Sequence, residues 1–123
     1  MMEVQNSKRY DLDERTFKFA KQCRELVKLI PKTIGNFEDG KQLIRSSGSV
    51  HANYIEACEA LSKKDFYHRI KICRKEAKES RSWLLFVDIN SKDVTGNNRK
   101  ALVQEATELT KIFGAIITKE KLF

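Results

Sequence analysis

Seven side chains in this sequence come first among the groups that could ligate a metal, attack a substrate or move a proton. They are His51, His68, Cys23, Cys58, Cys73, Glu56 and Glu59. Their spacing serves none of these tasks. Neither histidine has a His or Cys partner at a metal-ligand interval on its own helix. The three cysteines lie on or beside apolar stripes, which predicts buried, inert thiols. An odd number without close pairing argues for reduced thiols in a cytoplasmic protein and against a disulfide framework. Glu56 and Glu59 share a polar flank with no cofactor to serve. No nucleophile, base and cofactor come together. The expectation is a protein that is not an enzyme and uses no metal and no cofactor.

A fourth chemistry, phosphate binding by a loop, is suggested by the run "SSGS" at residues 46–49. The elements around it decide against that reading. Leu43, Ser47, Val50, Tyr54, Ala57 and Leu61 recur at intervals of 4, 3, 4, 3 and 4. The apolar stripe passes through "SSGS" without losing phase, so the run is read as helix interior. Gly48 costs that helix near 1 kcal/mol and each serine about half as much. Packing must offset this. A phosphate loop also needs a preceding strand, several glycines and a Lys-Ser or Lys-Thr pair, and none is present.

Three further segments show the same period. Phe19, Cys23, Leu26 and Ile30 mark a helix over about residues 11 to 30, with Phe17, Ala20 and Val27 widening its face and Pro31 just beyond its end. Ser62 is an N-cap candidate, with Asp65 three residues on. Phe66, Ile70, Cys73, Ala77, Ser80 and Leu84 follow it. Asn97 or Asn98 opens the last helix, followed by Leu102, Ala106, Leu109, Phe113 and Ile116. The breaks fall at residues 31–36, 61–62 and 90–98, and no segment alternates as a strand does. The prediction is an all-α protein of four helices in a single domain over residues 1–123, with residues 1–10 as a flexible N-terminal tail. No apolar run approaches the roughly 18 residues that span a bilayer, so no membrane partner is expected.

Small residues let another helix approach closely. Ile44, Gly48, His51 and Ile55 form a second stripe beside the first. One stripe can face the core of the protein itself. The second is read as an oligomer interface, unless a wide core face uses both.

Charge is distributed unevenly. The chain carries 24 Lys and Arg against 17 Asp and Glu, a net +7. Residues 62–123 account for most of the excess, with fourteen basic side chains and eight acidic ones. In the third helix the two signs are sorted. Lys64, Lys71, Arg74, Lys75, Lys78 and Arg81 fall within a sector of about 60° to 180° from Phe66. Asp65, Glu76 and Glu79 fall on the opposite flank, and Tyr67 lies inside the basic sector, where it could stack on a base. A face that only kept a helix soluble would more often alternate charges. The sorted face predicts a phosphate-contacting surface with salt-sensitive affinity. The competing reading is an electrostatic seam, with the basic flank of one subunit against the acidic flank of another.

The segments "YDLDERTFKFAKQCRELVKLIPKT", "RSSGSVHANYIEA" and "EATELTKIFGAII" carry a resemblance. The chain resembles the four-helix-bundle proteins encoded in intervening sequences of bacterial 23S ribosomal RNA genes, over nearly its whole length. Arg45, Ser49, Ala52, Asn53 and Glu56 match the family pattern; His51 stands where many members carry a small residue or proline. The resemblance implies an antiparallel up-down four-helix bundle. It extends to the accessory variability proteins of diversity-generating retroelements. That likeness implies a homopentamer with a basic surface that meets nucleic acid and a reverse transcriptase. Two functions therefore compete: an oligomeric nucleic-acid binder, of RNA or DNA, and a structural module assembling with an acidic protein partner.

Overall fold

The computed structural model describes the backbone over residues 2–89 and 94–122, and side chains over residues 11–89 and 95–122. Four helices follow one another: α1 (Met2–Leu29), α2 (Ile34–Cys58), α3 (Lys63–Phe86) and α4 (Val94–Thr118), then a short 3₁₀ turn, Lys119–Leu122. Each helix packs on its sequence neighbour, and α1 also packs on α4, closing a four-helix bundle. No strand occurs among the described residues. Short connections force consecutive helices to run antiparallel. No helix among the described residues is long and apolar enough to cross a membrane.

Helix starts follow from capping. Ser62 Oγ accepts from the backbone N–H of Asp65 at 3.0 Å, as the sequence predicts. Thr33 does the same for Asn36 at 3.0 Å. Two starts differ from expectation. As described, α1 starts at Met2, well before residue 11; a tail over residues 1–10 lies outside the described side chains. The last helix starts at Val94, a turn before Asn97.

The core is the set of stripes meeting along the axis. Phe19, Cys23 and Leu26 meet Leu43, Val50 and Tyr54, then Ile70, Cys73, Ala77 and Leu84, then Leu102, Ala106, Leu109 and Phe113. "SSGS" is helical throughout. Ser46 and Ser47 are fully buried, and Ser46 Oγ meets Ser80 Oγ of α3 at 2.8 Å.

Five expected core positions fail. Thr16 takes the inward place on α1, leaving Phe17 57 % exposed. Leu61 is 99 % exposed, because α2 ends at Cys58 and the stripe stops at Ala57. Phe66 and Ile116 are only half-buried, at the ends of their helices. Cys58 is exposed, one residue past the last inward position, so the expectation of three buried thiols holds for two. Burial pushes the Cys23 and Cys73 thiols up to about 12.

A candidate nucleic-acid interface along helices α3 and α4

The second stripe of α2 is largely taken up inside the chain. Thr16 Oγ1 lies 2.9 Å from His51 Nδ1, and the Phe17 ring stands edge-on to the His51 ring. Gly48 lies under Arg24, whose Nη2 is 3.0 Å from where a Cβ would sit. Ile44 is half-buried beside Val27, Ile30 and Phe37. Only Ile55, 43 % exposed, is left open to solvent. Within the chain, the side chain of Arg24 of α1 thus covers this stripe at Gly48.

The basic side chains of α3 stay outside. Lys64, Lys71, Arg74, Lys75, Lys78 and Arg81 are all exposed. Lys71, Arg74, Lys75, Lys78 and Arg81 line two adjoining hollows, which share Lys78 and Glu79, in the groove between α3 and α4. Lys64 stands apart, on the first turn of α3 and outside these hollows. Arg81 Nε donates to Thr107 Oγ1 at 3.2 Å. Arg74 reaches over Gly114, its Nε 3.6 Å from a would-be Cβ. Lys71 Nζ lies 3.0 Å from Glu120 Oε1, which closes one end of the row. Tyr67 is not part of this surface. It is 7 % exposed and packs edge-on against Phe66, so it has no free ring face to offer a base.

Two of the three carboxylates on the acidic flank of α3 are engaged within the chain. Arg45 of α2 bridges Glu76 at 3.2 Å and Glu79 at 3.2 Å. Glu76 is 8 % exposed. Burial alone would raise its carboxyl, but hydrogen bonds with Glu79, Arg45 and Ser49 outweigh burial and hold it below the usual range. Glu79 is pushed the other way, first by its hydrogen bond with Glu76 and then by burial. The Arg45 guanidinium is raised further, first by its bond to Glu76.

The other motif residues extend the same brace. Asn53 Nδ2 donates to Ser49 O and Ser49 Oγ, both at 2.9 Å. Asn53 Oδ1 accepts from Arg69 Nη1 of α3 at 3.0 Å. Arg45, Ser49 and Asn53 are thus polar cross-links between α2 and α3, while Ala52 and Glu56 are exposed. The model for the 23S rRNA-intervening sequence protein matches residues 8–115.

The chain belongs to this family. A solved structure supports the fold. It is a protein of unknown function of the S23 ribosomal protein family from Bacteroides thetaiotaomicron, 28 % identical, with a TM-score of 0.72. The likeness covers 86 % of this chain and 97 % of that one. No curated protein matches the chain.

Several groove residues of this family member come from α4 and were not anticipated. Thr107, Thr110 and Lys111 form the wall facing α3. Their spacing of 3 and 1 places them on one flank of α4, next to the apolar stripe. A helical wheel of α4 would have grouped them, but nothing in one helix says which flank its neighbour leaves open. A second surprise is Arg15 of α1. It forms a two-pronged bond with Glu105 at 3.0 and 2.7 Å and also reaches Glu108 at 3.2 Å, joining α1 to α4.

Proposed function

We propose that this chain is a nonenzymatic, oligomeric nucleic-acid binder whose contact surface is the basic groove between α3 and α4. One observation carries the reading. Lys71, Arg74, Lys75 and Lys78 all remain exposed, while the nearest carboxylates of α3, Glu76 and Glu79, are engaged by Arg45. An electrostatic seam between copies would need those carboxylates free, so their engagement favours a polyanion from outside. Self-assembly belongs to the same reading. Its support is exposed apolar surface, Phe17 and Ile55 on one face and Ile34 and Phe37 near one end. Five copies is the number implied by the likeness to retroelement accessory proteins, which also implies a reverse transcriptase partner. Repetition of the groove in an oligomer would add weak contacts through multivalency.

Fluorescence anisotropy against labelled RNA and DNA across a salt series tests the reading. Affinity falls steeply as salt rises, because neutralising phosphates releases counterions. Changing Lys71, Lys75 and Lys78 together to Glu abolishes binding with helicity retained. Unchanged binding moves the contact elsewhere. Dissociation of that variant into monomers, read by light scattering, would restore the seam. The alternative, a module for an acidic protein partner, draws on Ile117, an apolar residue of α4 that shares a hollow with the basic row. Absence of binding to both nucleic acids would favour it.

A further inference from the structure

We infer that the groove takes one strand of RNA in preference to DNA, because the α4 wall is built to accept a hydrogen bond from a ribose 2′-hydroxyl. The inference rests on the nucleic-acid reading above and narrows it.

The two walls differ in chemistry. The α3 wall carries cations: Lys71, Arg74, Lys75, Lys78 and Arg81. Along the helix axis, Lys71, Lys75 and Lys78 are spaced by about 6 and 4.5 Å. The α4 wall carries Thr107 and Thr110, with Lys111, opposite Lys78 and Arg81, and Ile117 opposite Lys71, Arg74 and Lys75. Thr107 Oγ1 donates to Val103 O at 2.9 Å, and Thr110 Oγ1 donates to Ala106 O at 2.7 Å. A hydroxyl has one proton and two lone pairs. Both protons are therefore turned into the helix, so lone pairs are what either oxygen has left to offer. Thr107 Oγ1 accepts from Arg81 Nε and keeps one lone pair, while Thr110 Oγ1 keeps two.

A wall of acceptors beside a row of cations suits a particular ligand. Phosphate, sulfate or a carboxylate-rich peptide segment brings acceptors to both walls and gains nothing at the threonines. The deoxyribose–phosphate backbone has the same fault. An RNA strand brings phosphates for the cations and, beside each, a 2′-hydroxyl able to donate. The two hollows have volumes of about 460 and 480 Å³, enough for a few nucleotides of one strand.

The test uses the full chain and three labelled ten-residue single strands of one sequence: RNA, DNA and 2′-O-methyl RNA. The methyl ether retains the RNA-like sugar but removes the donor, so it separates hydrogen bonding from sugar shape. RNA is expected to bind about fivefold more tightly than either of the others, the scale of one net hydrogen bond. Thr107→Val with Thr110→Val brings RNA down to the level of DNA and leaves DNA unchanged. Thr107→Ser with Thr110→Ser retains the preference. Equal binding of RNA and DNA by the unaltered chain overturns the inference and leaves the broader reading intact. RNA and 2′-O-methyl RNA binding equally also overturns it. Failure of all three strands to bind removes both. The comparison on the unaltered chain decides the matter even where the valine variant does not fold.

Discussion

Asn36 bonds the backbone of Asp88 at two points. Its Nδ2 donates to Asp88 O at 2.8 Å, and its Oδ1 accepts from Asp88 N at 2.8 Å. The same Nδ2 donates to Pro31 O at 2.9 Å. One buried amide thereby ties the α1–α2 turn to the segment leaving α3. Changing Asn36 to Ala strands three backbone groups and should lower unfolding free energy by about 2 to 3 kcal/mol. Urea denaturation measures it; a loss under about 0.5 kcal/mol would mean that water replaces the amide without penalty.

Two glycines of α2 should answer oppositely to alanine. A Cβ at Gly48 meets the tip of the Arg24 side chain, which can swing aside. Gly48→Ala should then stabilise by up to about 1 kcal/mol through helix propensity. A Cβ at Gly40 comes within 3.1 Å of Val27 Cγ1, on a stiff branched side chain. Gly40→Ala should destabilise, by about 1 kcal/mol or more, because the α1–α2 contact must open. Thermal melts of the two variants compare the signs directly.

The thiols should divide two to one. At pH 8, a disulfide reagent should titrate Cys58 alone in the native protein and all three cysteines after denaturation, since Cys23 and Cys73 are buried. Their folded values near 12 exceed the ordinary 9.0. The protonated thiol is therefore favoured by folding. The stabilisation is fully present below about pH 9 and is lost as pH rises from there towards about 12, at about 1.4 kcal/mol per pH unit for each thiol. A Cys23→Ala, Cys73→Ala double variant should show a shallower alkaline slope, whatever its absolute stability.

Glu120 stands where a phosphate could stand. Its bond to Lys71 is partly exposed, so removing it should cost little stability. Glu120→Gln should tighten nucleic-acid binding about two- to threefold at low salt, with the difference fading as salt screens the site. Weaker binding by the variant would mean that Glu120 orients Lys71 instead of competing for it.

The helices and most of their inward faces were legible because apolar spacing is a local property. Leu43 to Ala57 and Ile70 to Leu84 could be read directly, and so could the Ser62 cap. The misreadings share one cause. Phe17, Leu61 and Cys58 depend on where a helix ends or which neighbour lies beside it, and a single stripe does not carry that information. Tyr67 shows the same limit: its angle on the wheel was right for the basic sector, yet bundle packing covers that part of α3 near its start. The basic row was legible because sorted charge is visible on one helix. Its second wall, Thr107, Thr110 and Lys111, was not, because it depends on pairing two helices. Gly48 was read as a place where a helix comes close, and the group that meets it within the chain is the tip of the Arg24 side chain.

The sorted charges of α3 also affect how the molecule would move before it touches anything. Glu76 and Glu79 bond Arg45 of α2 while the lysines line the hollows towards α4, so negative and positive charge are displaced from each other across α3, less the part that Arg45's own charge offsets. That displacement is an electric dipole lying across the bundle axis. In the field of a polyanion such a body turns before it collides, so a larger share of encounters begin with the lysines forward. The benefit falls on the association rate and shrinks with ionic strength, while the dissociation rate is governed by the contacts themselves. Charges that never meet the ligand would in this way help to set how quickly the ligand is found.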